Sequence, residues 1–157
     1  MRITLLCIGA TDKAELKSLI AFYGKRLGHY VKYDLMELPD IKNTKNLSEN
    51  QQKEKEAELL LKAIDPTDHI VLLDEHGTSH SSVGFSTFLQ KHMNSGKKRL
   101  VFIIGGPYGF SEQIVTRAQQ KLSLSAMTFS HQMVRLFFVE QLYRAFTILK
   151  NEPYHHR

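Results

Sequence analysis

Cysteine, long apolar runs and metal-ligand spacings are all scarce in this chain of 157 residues, and each scarcity excludes a class of protein. The one cysteine, Cys7, excludes an intramolecular disulfide and any cysteine-based metal site. No run of about eighteen apolar residues occurs, so we predict no contact with a membrane interior. The histidines and carboxylates lack spacings such as His-x-x-x-His, so we predict no metal. These absences predict a metal-free protein of a reducing cytoplasm.

The amino-terminal residues also argue against export. The apolar run in residues 1–9 is too short for a signal peptide, and Asp12 and Lys13 follow it immediately. We therefore predict a buried strand there. The length and an ordinary 42% of apolar residues predict a single domain over residues 1–157.

Basic residues exceed acidic ones, 21 against 16, which gives a net charge of +5. The surplus is concentrated in the first predicted helix, in one cluster and near the carboxyl terminus: Lys13, Lys17, Lys25, Arg26, Lys97, Lys98, Arg99, Arg144, Lys150 and Arg157. Such clusters favour a polyanionic partner such as nucleic acid. A basic enzyme whose lysines only keep it dispersed fits the charge equally well.

Strand-like and helix-like patterns alternate along the chain. Strands are predicted at residues 2–9, 31–38, 69–74, 100–104 and 124–129. Helices are predicted at 12–27, 48–64, 82–94, 112–121 and 132–149, with Asp12, Ser48, Ser82 and Ser111 as amino-terminal caps. This alternation predicts an α/β fold with a mainly parallel, five- or six-stranded sheet and helices on both faces.

Two loops follow predicted strands at the edge of such a sheet where ligands bind. In the first, Gly105, Gly106 and Gly109 let the backbone approach a ligand closely, and Pro107 stiffens the turn. No Gly-Lys-Ser/Thr follows, so this is not a P-loop. A tight strand-to-helix connection without any ligand would use the same glycines.

Several motifs together resemble the RlmH (YbeA-like) family of SPOUT methyltransferases over the whole chain. They lie at residues 72–77, 104–109, 123–128, 134–135, 140–145 and 153–155, and at His131. The resemblance implies a carboxyl-terminal trefoil knot, a homodimer and S-adenosyl-L-methionine as methyl donor. It also implies a substrate, N3 of a pseudouridine in large-subunit (23S) ribosomal RNA, methylated on the assembled ribosome.

The resemblance further implies which residues hold the cofactor and which act in catalysis. The cofactor residues are Leu73, Gly105, Gly106, Leu124, Ser125, Ala126, Met127, Thr128, Phe129, Ser130 and His131. Tyr154 and His155 would fold over the methyl-transfer site, with His155 the first candidate base and Tyr154 the second. Arg135 would bind a phosphate or stabilise a uracil-type anion, unless it forms an ion pair with a carboxylate such as Glu140 of the partner subunit.

Two other functions are open at this stage. A SPOUT methyltransferase for another ribosomal or transfer RNA base would share the same cofactor loops. A non-catalytic nucleotide- or RNA-binding module would keep the basic clusters and Gly105–Gly106, but would not need the Tyr154–His155 tail.

Overall fold

Strands and helices alternate along the computed structural model, which describes residues 1–156. The strands are β1 (Arg2–Ile8), β2 (Lys32–Leu38), β3 (His69–Ser79), β4 (Arg99–Ile104) and β5 (Gln120–Ser123). The helices are α1 (Ala14–Leu27), α2 (Glu49–Ala63), α3 (Ser82–Asn94), α4 (Glu112–Arg117) and α5 (Met133–Leu149), with a 3-10 turn at Thr44–Asn46.

The five strands form one parallel sheet in the order β2-β1-β4-β3-β5. Helices α1, α3 and α5 cover one face and α2 and α4 cover the other. Alternate residues of β1 enter the two cores, so that Leu5 packs toward α5 and Leu6 toward α2. Burial on both faces explains the nearly continuous apolar strands. The predicted five-stranded α/β architecture is confirmed, and Cys7 lies buried and unpaired in β1.

The start of α2 agrees with the prediction, whereas the starts of α1 and α3 differ from it by one residue. The capping box of α2 is present, because Ser48 and Gln51 each accept the other's backbone N–H. The cap of α3 is Ser81 rather than Ser82, since the Ser81 hydroxyl accepts the Gly84 N–H at 3.0 Å. Helix α1 begins after Lys13 rather than after Asp12.

The predicted strand at residues 124–129 is wrong, and so is the predicted end of the preceding helix. Helix α4 ends at Arg117, and β5 is formed by Gln120–Ser123, which pairs with β3. Sheet hydrogen bonds to β3 satisfy the backbone of residues 120–123, and the chain then leaves the sheet. Residues 124–131 form a loop at its edge.

The carboxyl ends of β3, β4 and β5 meet at this same edge, because the three strands are adjacent and parallel. Strand β3 continues past it to Ser79, with a register shift between Leu73 and Thr78. Within residues 1–156, no helix is long and apolar enough to cross a membrane. The carboxyl-terminal trefoil knot stays a prediction.

Candidate active site

A cavity of about 720 Å³ opens where β3, β4 and β5 end. That volume lies in the range of roughly 300–1,000 Å³ usual for small-molecule sites. Its walls are residues 73–76, 104–110 and 128–131, together with Leu122, Leu124, Ser125, Met127 and Val134. Three strand ends therefore supply three sides of one pocket.

The first wall is the glycine turn after β4. Gly109 has a φ of +82°, which a residue with a side chain rarely adopts, and its N–H donates to the Gly106 oxygen at 3.2 Å. This bond closes the turn and leaves Tyr108 at its tip, 47% exposed. The turn presents backbone rather than side chains to the cavity at Gly105 and Gly106.

The second wall is the loop after β5, which its own serines shape. The Ser125 hydroxyl accepts the Met127 N–H at 2.9 Å, and Ser123 donates to the Ser125 oxygen at 2.9 Å. The Thr128 hydroxyl bonds to the Glu75 carboxylate, which ties this loop to the end of β3. The two sides of the cavity are therefore linked directly.

Ten of the eleven residues predicted for the cofactor line this cavity. The first and last of them, residues 73 and 131, are 58 positions apart in the chain. The exception is Ala126, which lies exposed in the second loop and does not line the pocket. Among the ten, Met127 is 74% exposed and so stands at the mouth. Their role toward the cofactor stays a prediction.

The structure does not place Arg135 in the cavity, so its predicted catalytic role stays a prediction. Its side chain is fully buried, and it donates to the Ile8 oxygen at 2.9 Å and to the Thr11 hydroxyl at 3.1 Å. A contact of 3.6 Å with Glu37 of the same chain balances its charge. No part of the guanidinium is free to reach a phosphate or a base, so Arg135 holds the end of β1 against α5.

Tyr154 and His155 contact α1 and α5 and do not line the cavity of their own chain. The Tyr154 hydroxyl donates to Glu140 at 2.9 Å, and its ring lies 4.7 Å from the Arg144 guanidinium. Arg144 also lies 3.4 Å from His155 Nδ1. Burial, followed by hydrogen bonds to Tyr23 and Glu140, raises the pKa of Tyr154 above its ordinary value. A raised pKa keeps this phenol protonated near neutral pH, so that little phenolate is present to accept a proton.

A second cavity of about 470 Å³ connects these two regions. It shares four residues with the first: Leu122, Leu124, Ser125 and Phe129. Glu140, the acceptor for Tyr154, lines its other side with Phe137. Glu140 and this second pocket therefore connect the tail to the first cavity.

Sequence reasoning missed Glu56, a carboxylate of α2 that is only 4% exposed and lies behind the glycine turn. Burial raises its pKa, while the neighbouring Gln52, Gly106 N–H and His131 act in the opposite direction. Glu56 precedes the buried Leu60 by four residues, which places a charge on the apolar stripe of α2. That misplaced charge was the one signal that could have pointed to it.

No group of three or more histidine, cysteine, aspartate or glutamate side chains in residues 1–156 is arranged to hold a metal ion. What the site offers instead is an apolar pocket with carboxylates Asp74 and Glu75 at one side. Lys121 lies 3.4 Å from Asp74 and balances part of that charge.

Comparison with known proteins matches the chain over its whole length. The family described as "Predicted SPOUT methyltransferase" matches residues 1–155. The ribosomal RNA large subunit methyltransferase H of Flavobacterium johnsoniae is 66% identical over 157 residues, all of both chains. The protein of the same name from Christiangramia forsetii is 64% identical, again over all of both chains.

Among solved structures, the SpoU methyltransferase AviRb from Streptomyces viridochromogenes in complex with AdoMet is 15% identical. The match covers 95% of this chain and 58% of that one, with a TM-score of 0.46. Because that score is low, the assignment rests on the sequence relatives and the family match. The chain belongs to the SPOUT methyltransferase family, together with the ribosomal RNA large subunit methyltransferases H.

Proposed function

We propose that this chain transfers a methyl group from S-adenosyl-L-methionine to N3 of a pseudouridine in 23S ribosomal RNA on the assembled ribosome. It acts as one domain over residues 1–157, as a homodimer, in the cytoplasm. The observation that carries the proposal is one cavity built from both loops that the family motifs mark, in a chain 66% identical to a ribosomal RNA methyltransferase over its full length.

The residues of the cavity fit this cofactor. Leu73, Ile104 and Leu124 offer apolar surface for a neutral adenine ring, with backbone groups of the two loops for its polar edge. Asp74 and Glu75 place negative charge near the positively charged sulfonium and ammonium groups that such a cofactor carries. Leu73, Gly105, Gly106 and residues 124–131 other than Ala126 would hold it.

When bound, the cofactor supplies a methyl group that its sulfonium already makes strongly electrophilic. The protein has two remaining tasks, which are to align N3 of the base with that methyl carbon and to accept the N3 proton as the new C–N bond forms. Alignment lowers the activation barrier by roughly 7–11 kcal/mol in favourable cases. A general base raises the rate by about 10²–10⁴-fold, which corresponds to a smaller reduction of the barrier. We therefore expect positioning to dominate the rate.

His155 is the better candidate for the proton acceptor, because the raised pKa of Tyr154 keeps its phenol protonated near neutral pH and leaves little phenolate to take up the N3 proton. Tyr154 then serves to position the tail through Glu140 and Arg144. Both residues lie outside the cavity of their own chain, so in this proposal they act at the cavity of a second copy. That requirement supports a homodimer.

Exposed lysines of α1 are the proposed contacts to the RNA backbone. Lys13, Lys17 and Lys25 are exposed, and Lys13 follows the Asp12 backbone, which bonds to Gln132 beside the cavity. The Lys97–Arg99 cluster lies at the amino-terminal end of β4, and so at the opposite end of the strands from the cavity. Within it, Arg99 bonds to Asp68 at 3.0 Å and Lys97 to His69 at 2.6 Å, so we place the first RNA contacts on the lysines near α1 rather than on this cluster.

The proposal is tested with labelled S-adenosyl-L-methionine and ribosomes from cells lacking the gene, with the label mapped by mass spectrometry. We expect methyl on N3 of a single large-subunit pseudouridine. Label on another ribosomal or transfer RNA base would contradict the target but keep the cofactor. Cofactor binding without transfer to any RNA would favour the non-catalytic module.

A further inference from the structure

The glycine turn of the cofactor cavity packs against a buried carboxylate, that of Glu56. Glu56 of α2 is only 4% exposed, on the face of the turn away from the main α5 core. Gln52, one helical turn earlier, donates its side-chain N–H to Glu56 Oε1 at 3.1 Å. The Gly106 backbone N–H faces the same carboxylate and helps to stabilise its charged form.

Glu56 approaches Gly106 so closely that a side chain at residue 106 would meet its carboxylate. A Cβ atom there would lie 2.5 Å from Glu56 Oε2 and closer still to Oε1. Real Cβ atoms do not approach oxygen so closely, so a side chain at residue 106 would force the Glu56 carboxylate to move from its present position. Close packing of Glu56 from α2 therefore favours glycine at position 106, in addition to the conformational freedom of the glycine backbone.

The backbone of Gly106 has neighbours on both sides within the protein. Its N–H faces Glu56, and its oxygen accepts the Gly109 N–H at 3.2 Å. The Glu56 carboxylate therefore sets the height and orientation of the turn that forms one wall of the cavity. His131, on the opposite loop, also interacts with Glu56, and so does Asp40 from the segment after β2.

We propose that Glu56 is a positioning residue for the cofactor, which anchors the Gly105–Gly106 turn from behind and thereby fixes one wall of the S-adenosyl-L-methionine site. This inference rests on the proposed function, since it assigns Glu56 to the cofactor that the proposal places in the cavity. The carboxylate acts through Gly106 and does not itself contact the reacting atoms.

The first experiment measures binding of S-adenosyl-L-methionine by calorimetry to the full chain and to Glu56→Gln. We expect affinity to fall by about tenfold or more, the size expected when a charge-assisted hydrogen bond is removed. The kcat at saturating cofactor and the KM for ribosomes should change far less than the KM for cofactor. The matched control is Glu58→Gln, an exposed carboxylate on the same helix, which should bind as the parent does.

A double-mutant cycle then tests whether Glu56 acts through Gly106. Gly106→Ala should weaken cofactor binding by about tenfold or more in the parent, because its Cβ meets Glu56. In the Glu56→Ala background, which makes room for that Cβ, Gly106→Ala should reduce the affinity for the cofactor clearly less. A general loss of stability would not produce this rescue. Should Glu56→Ala fail to fold, the shorter Glu56→Asp provides the space.

The outcomes separate the two proposals. A parent chain that binds no S-adenosyl-L-methionine overturns the proposed function. A parent that binds it, with Glu56→Gln equal to the parent, overturns the role of Glu56. Additive effects of Gly106→Ala and Glu56→Ala also overturn it, because the two residues would then act independently.

Discussion

The guanidinium of Arg135 donates a 2.9 Å hydrogen bond to the backbone oxygen of Ile8, which joins the start of α5 to the end of β1. A third bond from Arg135 reaches the His131 oxygen at 3.3 Å. Because His131 lines the cavity, this buried side chain connects the sheet to the cofactor loop. Its contribution is to stability and loop position.

Replacing Arg135 by alanine should therefore destabilise the fold. We expect the free energy of unfolding to fall by about 3 kcal/mol, the low end for a broken buried pair, since Glu37 is 29% exposed. Urea unfolding measures this directly. Arg2→Ala, which removes a surface ion pair of 3.7 Å with Asp34, is the control and should cost about 0.5 kcal/mol or less. Equal effects of the two substitutions would contradict the role given to Arg135.

Substitutions in the carboxyl-terminal tail should distinguish the proton acceptor from the positioning residue. We expect His155→Ala to lower kcat by about 10²–10⁴-fold, the usual contribution of a general base, and Tyr154→Phe to lower it much less. Single-turnover methylation at saturating cofactor is the measurement. His156→Ala, an exposed neighbour, should leave turnover unchanged. Near-normal turnover in both His155→Ala and Tyr154→Phe would remove the tail from the mechanism.

Two buried histidines at the other end of the strands should make stability fall in acid. His69 and His92 both lie 3.2 Å from Gln120 Oε1, and His92 Nδ1 is buried without a partner. Burial lowers the pKa of both, and Lys97 adds to that effect. Below the ordinary histidine pKa of about 6.5, the unfolded chain therefore binds more protons than the folded chain. The two histidines contribute fully to the free energy of unfolding above that pH, and this contribution is lost as the pH falls through their lowered pKa values.

The test compares urea midpoints at about pH 8 and pH 5.5, either side of that ordinary value. His92→Leu should reduce the difference between the two midpoints. His76→Leu, in which the replaced imidazole is 83% exposed, should leave it as in the parent. An unchanged difference in His92→Leu would show that this pair does not control the acid sensitivity.

Salt dependence should identify the surface that binds RNA. Neutralising Lys13 or Lys17 should flatten the log–log salt dependence of ribosome binding by about one unit or slightly less, because each lysine that binds a phosphate releases counterions. Lys98→Gln, at the opposite end of the strands, is the control and should keep the parent slope. If only Lys98→Gln changes the slope, RNA approaches the end of the strands remote from the cavity.

Local patterns in the sequence predicted the elements but placed some of their ends incorrectly. Ser48 and Gln51 indicate the start of α2 because the two partners of the capping box are only three positions apart. Residues 124–129 have the mixed polarity of a half-buried strand, yet they serve the cavity and not the sheet. Pairing with β3 decided that difference, because 120–123 could satisfy their backbone there and 124–129 had no strand to join.

For the site, the motifs indicated the two loops but not the groups behind them. Leu73, Gly106 and His131 stand in recognisable segments, so their common cavity could be expected. The burial of Arg135 could not be predicted, because helical spacing from His131 says which face it shares, and not whether that face is buried. Glu56 lies in a helix rich in charge, where its place on the apolar stripe was the one sign that set it apart from the other carboxylates.

The sequence by itself determined the alternation of strands and helices, the parallel sheet and the two glycine- and serine-containing loops, because these follow from periodicity, capping and backbone freedom between near neighbours. The tertiary structure alone decided the strand order, the burial of Arg135 between Ile8 and Glu37, and the stacking of Gly106 on Glu56. Those relationships join residues 30 or more positions apart, where desolvation and close packing, rather than local pattern, select which groups meet.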